Sequence, residues 1–361
     1  MQPHSASGPA ASARAAHPYR VVQWATGTIG ARALLAIVEH PHLTLAGVYV
    51  HSPAKVGLDA GELCSRPATG VLATASIDDI VALGADCVLY MASFPDVDQL
   101  CRLLSCGTNV VTTCGMFHHP PTMDPAVRDR VEKACAAGGA SIHSTGSSPG
   151  FITEAVPLVL TSIQRRLRGL VIDEYADLSQ RNSPELLFDL MGFGRAAAPF
   201  EQYRAAYLQS SFGPSLHLVA EAVGLPLDSV TAAGELATAA HDTDIAAGTL
   251  AGGSVAAQRI TVSGLRHGRA LLQFRATWYC TADLEPAWDV AATGWHISVD
   301  GDAPLEIDLR MPIPLERMAA VSPAYTANRA VNAVPYVCAA APGIVSTCDL
   351  PHLVPALAST G

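Results

Sequence analysis

An apolar run, Val21, Val22 and Trp24, ends abruptly in Ala25-Thr26-Gly27-Thr28-Ile29-Gly30, and an Ala/Leu/Ile helical pattern follows through Val38. A strand that turns over glycines straight into a helix is the sequence form of a dinucleotide-binding βα unit. Here it is written A-x-G-x-x-G, with Ala at the first glycine position. Gly27 lets the backbone approach a pyrophosphate, and Gly30 lets the helix pack close to the strand. The first helical turn, with Thr28 and Ile29, presents free N–H groups and a partial positive charge to phosphates. One such unit constrains its surroundings strongly, because it belongs to a parallel sheet covered on both faces.

The following hundred residues keep that rhythm. Strands are expected at Arg20–Trp24, Leu43–Val50, around Gly70–Ala73, Asp86–Met91, Asn109–Thr113 and Ala140–Ser144. Helices fall between them, one opened by Ser76 with Asp78 and Asp79 in its first turn. Alternation of this kind predicts an α/β, Rossmann-type doubly wound parallel sheet. After Gly150 the rhythm changes. A helix over Ile152–Arg166, a strand over Leu170–Asp177 and two helical stretches to Ala222 lead into strand after strand, from Val230–Ala239 to Leu305–Met311. Strands without intervening helices predict an α+β domain with a mostly antiparallel sheet. The expected division is a disordered tail over 1–18, a nucleotide-binding domain over 19–150, a substrate and dimerisation domain over 151–318, and a C-terminal segment over 319–361 with a Pro-rich tail.

Composition removes several classes of function. Half of the 361 residues are hydrophobic and 15% are charged, so the chain can bury a large core. A net charge of −10 argues against a nucleic-acid partner. Lys55 and Lys133 are the two lysines, which leaves little room for Schiff-base chemistry. Nine cysteines with no C-x-x-C pair read as small buried hydrophobes, not as a disulfide framework or a metal site. No apolar run reaches the length of a membrane span, and residues 1–18 lack the apolar stretch of a signal peptide. The expectation is a soluble cytoplasmic protein without a membrane partner. An open sheet face too apolar for water would make it a homodimer.

In a doubly wound sheet the cofactor lies across the C-terminal ends of the strands. The second strand ends in His51-Ser52-Pro53-Ala54-Lys55, with no carboxylate for a ribose 2′-hydroxyl. Ser52 and Lys55 suit a 2′-phosphate instead, so NADP is expected over NAD. Met91, Ala92 and Ser93 end strand four and leave space for a nicotinamide ribose. Thr113 and Cys114 end strand five; Cys114 has no basic neighbour in sequence to make a thiolate and reads as packed. For proton transfer the candidates are His118, beside His119 after strand five, and Glu154, in the first turn of a helix. Met116, Ser148, Phe151, Asp177 and Phe193 are assigned to the substrate. Period two puts Asp173, Tyr175 and Asp177 on one face of their strand and Glu174 on the other.

Several spaced motifs occur together: Ala25–Gly30, Ser144-Thr145-Gly146-Ser147-Ser148-Pro149-Gly150-Phe151, Met191-Gly192-Phe193-Gly194, Asn332-Ala333-Val334-Pro335 and Ala341-Pro342-Gly343. In these the chain resembles the dihydrodipicolinate-reductase-like proteins that include 2,4-diaminopentanoate dehydrogenase and the NAD(P)-dependent amine dehydrogenases. The resemblance runs from residue 19 to about 351. It implies hydride transfer at a C–N bond, in reductive amination of a small ketone or aldehyde or the reverse. It also implies a nicotinamide cofactor contacted by Asn332 among others, and a C-terminal segment that returns to the first domain. The family Glu expected after strand five is replaced by Cys114-Gly115-Met116-Phe117. That departure keeps two alternatives open, a ketone or imine reductase and a nucleotide-binding protein without efficient catalysis.

Overall fold

The structure is a computed structural model, and it describes residues 17–357. The expected tail therefore lies almost wholly outside the described residues. From there the chain runs through β1 (Tyr19–Trp24), α1 (Thr28–Val38), β2 (Leu43–Tyr49), α2 (Ala60–Leu63), β3 (Ala73–Thr74) and α3 (Ile77–Ala82). It continues through β4 (Cys87–Tyr90), α4 (Val97–Ser105), β5 (Asn109–Thr112), α5 (Pro125–Gly138) and β6 (Ser141–Ser144). Polar side chains start these helices by taking up free N–H groups. Ser76 accepts from Asp79, Asp96 from Asp98 and Gln99, and Asp124 from Val127.

The second half opens with a wide-turned helical segment, Ser147–Ala155, followed by α6 (Val156–Thr161) and β7 (Leu167–Asp177). A further wide turn, Glu185–Leu190, precedes the long α7 (Gln202–Ala222). Then come β8 (Ser229–Ala239), the hairpin of β9 (Thr243–Ile245) and β10 (Gly248–Leu250), β11 (Val255–Arg266), β12 (Arg269–Tyr279), β13 (Leu284–Glu285), β14 (Gly294–Gly301) and β15 (Leu305–Arg310). The last elements are α8 (Leu315–Val321), α9 (Pro323–Cys338) and β16 (Gly343–Val345).

Seven strands in the order β16-β6-β5-β4-β1-β2-β3, all parallel, form the first sheet, and helices cover both faces. The second sheet has the order β13-β8-β11-β12-β7-β14-β15 and is antiparallel apart from the β12–β7 pair. The doubly wound sheet and the mostly antiparallel second sheet are as the sequence rhythm predicts. Two details differ. The stretch read as one helix over Ile152–Arg166 is split near Pro157, which lacks the N–H that would continue a regular ladder, and it stops at Thr161. Gly343–Val345, read as part of a Pro-rich tail, extends the first sheet beside β6. Three residues carry too little periodicity to show as a strand.

The two faces of the second sheet differ sharply. Leu170, Ile172, Phe274, Ala276, Ile260, Trp295 and Ile297 point inward against α7 and Ile152. Glu174 belongs to that inward file, paired across the sheet with Trp295 on β14 and Ala276 on β12. The opposite face carries Asp173 joined to Arg275, His296 joined to Asp308, and Arg259 joined to Glu235. It is a polar, ion-paired surface. The expected apolar open face is therefore not what the strands present. Among the described residues no helix is long and apolar enough to cross a membrane.

Candidate active site

The loop between β1 and α1 is built to leave its N–H groups free. Gly27 is the N-cap of α1 and offers no side chain to the first turn, which also contains no acidic residue. A Cβ added at Gly27 would meet nothing within 4 Å, so the backbone there borders open space. A Cβ at Gly30 would instead be driven into the carbonyl oxygen of Ala25. Ala25 stands in the left-handed region, φ 68°, where a glycine would cost less. Its carbonyl is held by the buried Gln23 amide at 2.8 Å and its N–H by the Tyr49 carbonyl at 2.9 Å. The Lys55 ammonium reaches back 2.9 Å to the Thr26 carbonyl and 3.1 Å to its hydroxyl. An open N–H cradle with a lysine beside it fits the pyrophosphate of a dinucleotide. His51 and Ser52 lie exposed at the end of β2.

The ends of the next strands are fixed to one another. Thr112 donates to the Tyr90 carbonyl at 2.9 Å, and Ser144 donates to the Cys114 carbonyl at 2.7 Å. Met91, Ala92, Ser93, Thr113 and Cys114 thus line the same edge of the sheet as Gly27 to Gly30. Burial pushes the Cys114 thiol up, which agrees with a packed cysteine. Past β6, Ser147 bonds Thr326 of α9 at 2.6 Å. Helix α9, with Asn332 half-buried on it, packs against α1, β4, β5 and β6.

The second sheet supplies the facing wall. Glu174 accepts a 2.7 Å hydrogen bond from Trp295 Nε1 at one carboxylate oxygen. The Ser148 hydroxyl stands beside it, buried and without a fully aligned partner. Burial pushes the Glu174 carboxyl up, and Trp295 and Ser148 pull it only partly back. Glu174 is nevertheless only half-buried by exposed surface, so it lies deep but reachable. Tyr325 of α9 meets Trp295 edge-on, with ring centroids 6.3 Å apart. One inward position further along, Trp278 pairs with Gln258 and Ala176. Gln258 borders a pocket of about 170 Å³ with Met191, Gly192, Arg204 and Leu236.

Several expected residues stand elsewhere. His118 and Glu154, chosen separately for proton transfer, do meet: Nδ1 lies 2.6 Å from Oε1. They are 1% and 0% exposed, however, and Glu154 is further held by the Ser215 and Thr347 hydroxyls. A pair so enclosed braces the loop after β5 and cannot touch substrate. The catalytic assignment of both residues is corrected accordingly. Asp177 is on the outer, polar face, where it accepts from the Ser179 N–H at 2.9 Å. Phe193, 1% exposed, fills a separate core with Leu187 and Val255. Neither belongs to the cleft, because strand period and core packing turn them away from it. Phe151 is 37% exposed with the Arg329 guanidinium over its ring. Met116 is half-buried against the first-sheet core. At Gly115 a Cβ would lie 2.7 Å from the Ser211 carbonyl oxygen of α7, so no glutamate fits there. Ser148 stands beside Glu174. Glu174, left as the opposite face of a strand, shares its file with Leu170, Ile172 and Ala176, and the structure brings it beside Ser148.

A cavity of about 310 Å³ lies apart from this edge, beneath the C-terminal segment and between His143, Leu158, Arg329, Thr347 and Leu350. Burial holds His143 neutral, pushed down to about 4. The convergence of loop, strand ends and facing carboxylate marks the cleft as the functional site in preference to this larger space.

Comparison with known proteins bears on the family likeness and the fold. Residues 207–360 match the family model described as the 2,4-diaminopentanoate dehydrogenase C-terminal domain. A curated amine dehydrogenase from Streptomyces virginiae is 29% identical over 360 residues, covering 94% of this chain and 98% of that protein. The chain resembles the amine dehydrogenases over nearly its whole length. In fold, an amine dehydrogenase from Mycobacterium smegmatis superposes with a TM-score of 0.73 at 19% identity, covering 93% of this chain and 97% of that one. A myo-inositol 2-dehydrogenase from Lactobacillus plantarum shares the fold more distantly, with a TM-score of 0.50 at 12% identity over 88% and 89% of the two chains. The resemblance read from the spaced motifs is thus shown by sequence and by fold.

Proposed function

We propose that this protein is an amine dehydrogenase-like oxidoreductase that moves a hydride between a nicotinamide dinucleotide and the C–N bond of a small amine. The observation that carries the reading is the cleft itself. It sets an open N–H cradle at the strand ends against a wall of Glu174, Trp295 and Tyr325. When bound, the cofactor supplies a hydride acceptor or donor. The chain binds its pyrophosphate at Gly27–Gly30, and the strand ends around Ala92 and Thr113 receive its nicotinamide half. A 170 Å³ pocket lined by Met191 and Leu236 together with Arg195, Glu201 and Arg204 suits a small substrate.

The test is a screen of carbonyl compounds that follows NADPH consumption with and without ammonia. Consumption that requires ammonia is the expected result. Consumption without it selects a ketone reductase, a reading favoured by the missing glutamate at Gly115 and Met116. No consumption with any carbonyl or imine selects a binding protein.

NADP is the preferred cofactor in this reading. The chain places no carboxylate between His51 and Lys55, and Ser52 stands exposed where a 2′-phosphate would approach. Ser52→Asp is expected to weaken NADPH binding at least tenfold, about 1.4 kcal/mol, and to favour NADH, because the new carboxylate repels the phosphate and accepts from a 2′-hydroxyl. Fluorescence titration with both cofactors reads this. Equal affinities in the parent protein would remove the argument.

A further inference from the structure

We infer that Glu174 is the residue that takes the proton from the substrate amine and returns it in the reverse direction, working from the sheet wall instead of the loop after β5. The inference rests on the oxidoreductase reading above and assigns its proton step. The loop after β5 offers no alternative. Gly115 is packed on the α7 backbone, Cys114 is a buried thiol, Met116 and Phe117 carry no exchangeable proton, His118 is enclosed with Glu154, and the buried His119 is stacked on His217 with Nε2 2.7 Å from Glu221.

Glu174 meets the needs of the step from three sides. It projects from β7 in the inward file, so it faces the first domain's strand ends by way of Ser148. One of its oxygens accepts from Trp295 Nε1 at 2.7 Å and the Ser148 hydroxyl stands beside the carboxylate; each carboxylate oxygen carries two lone pairs, so acceptor capacity remains for a substrate nitrogen. No charged side chain faces it. On its own strand Asp173 and Tyr175 point to the outer face; on β12 Arg275 follows Asp173 there, and on β14 so does His296. From β12 the inward neighbour is Ala276, from β14 it is Trp295, from the loop after β6 it is Ser148, and from α9 Tyr325 approaches through Trp295. A carboxyl in such surroundings is raised by burial toward the pH at which it can both give and accept a proton.

In amine oxidation an N–H bond of the substrate ammonium breaks and an O–H bond forms on Glu174. The nitrogen lone pair so released would form the C=N bond as the α-carbon gives up its hydride, for which a bound oxidised nicotinamide would be the acceptor. The amine loses two electrons, the cofactor gains them, and the proton on Glu174 passes to water. Trp295 acts as a positioning residue that fixes the carboxylate and stabilises its anionic form.

The experiment uses the full chain and two variants. Glu174→Gln keeps the size and an acceptor for Trp295. It is expected to lower kcat for amine oxidation by about 10²–10⁴-fold, with NADPH affinity within about twofold of the parent and the acid limb of the pH profile abolished. Trp295→Phe removes a hydrogen bond to the anion, so the acid limb is expected to move to higher pH. A second readout uses cofactor-free protein: calorimetric titration with an alkylammonium ion on the acid limb releases a proton in the parent and none in Glu174→Gln. A Glu174→Gln protein that keeps kcat within threefold and the same acid limb overturns the assignment. So does a Trp295→Phe limb that stays put, even should Glu174→Gln fail to fold. A parent protein that oxidises no amine and reduces no carbonyl with ammonia overturns the oxidoreductase reading instead, and the two failures are distinct.

Discussion

Glu154→Ala is expected to cost about 3–5 kcal/mol of stability, because it leaves several enclosed polar groups without their acceptor. The carboxylate is fully enclosed and serves three groups at once: His118 Nδ1 at 2.6 Å, Ser215 Oγ at 2.6 Å and Thr347 Oγ1. These come from the turn after β5, from α7 and from the segment after β16, so one side chain ties three parts of the chain together. Removing it leaves a buried imidazole and two hydroxyls without their acceptor. The His118 approach is close but poorly aligned for a hydrogen bond. For a protein with about 5–15 kcal/mol of net stability the loss is severe, and a fall in Tm of roughly 6–20 °C follows.

The same residue sets a pH dependence. Burial alone raises a carboxyl, yet His118, Ser215 and Thr347 together hold Glu154 below its ordinary value of 4.5. A carboxyl depressed on folding contributes stability that is complete above the ordinary value and is lost as pH falls through the depressed one. Denaturant melts from pH 6 down to pH 3 (approximate limits set by ordinary carboxyl values) are expected to lose stability progressively below pH 4.5 in the parent. In Glu154→Gln that component of the slope is absent. Identical slopes in the two proteins would mean that Glu154 is not charged in the folded state.

How much of this was legible in the sequence follows from the physics of each feature. The first sheet was plain, apart from β16, because strands such as β1, β2, β4 and β5 carry short runs of Val and Leu bounded by turn residues, and because Ser76, Asp96 and Asp124 stand at the starts of their helices. The face of β7 was legible in part. Period two separates Glu174 from Asp173 and Asp177, but nothing local says which face meets the other domain. That is decided by Leu170 and Ile172 packing on α7, a contact between residues far apart in sequence. His118 and Glu154 were recognised as ionisable residues near the strand ends. Their pairing, and the burial that removes them from substrate, depends on Ser215 and Thr347, which lie 61 and 193 positions from Glu154. The Asp177 and Phe193 assignments failed for the same reason: chemistry was read from residue type where orientation decided.

Gly30→Ala and Gly27→Ala should separate two jobs of the nucleotide loop, and the contrast between them is the strongest check on the site. At Gly30 an added Cβ collides with the Ala25 carbonyl oxygen and would stand 3.1 Å from the Gln23 side-chain nitrogen. Neither neighbour can yield cheaply, since Ala25 is backbone and its carbonyl is already gripped by Gln23 at 2.8 Å. Helix α1 must then lift from β1. The expected cost is about 3 kcal/mol, the upper end for overpacking, together with at least a tenfold loss of NADPH affinity as the helix N-terminus leaves the phosphate position. Gly27 behaves differently. Its φ of −71° suits alanine, and the new Cβ meets no protein atom within 4 Å, so Tm is expected to stay within about 2 °C. NADPH affinity should still fall at least tenfold, because the methyl group occupies the space through which a pyrophosphate reaches the backbone N–H groups. Thermal melts and cofactor titration on both variants give the answer. A Gly27→Ala protein that binds NADPH as tightly as the parent would move the phosphate site away from this loop, whatever Gly30→Ala does to the fold.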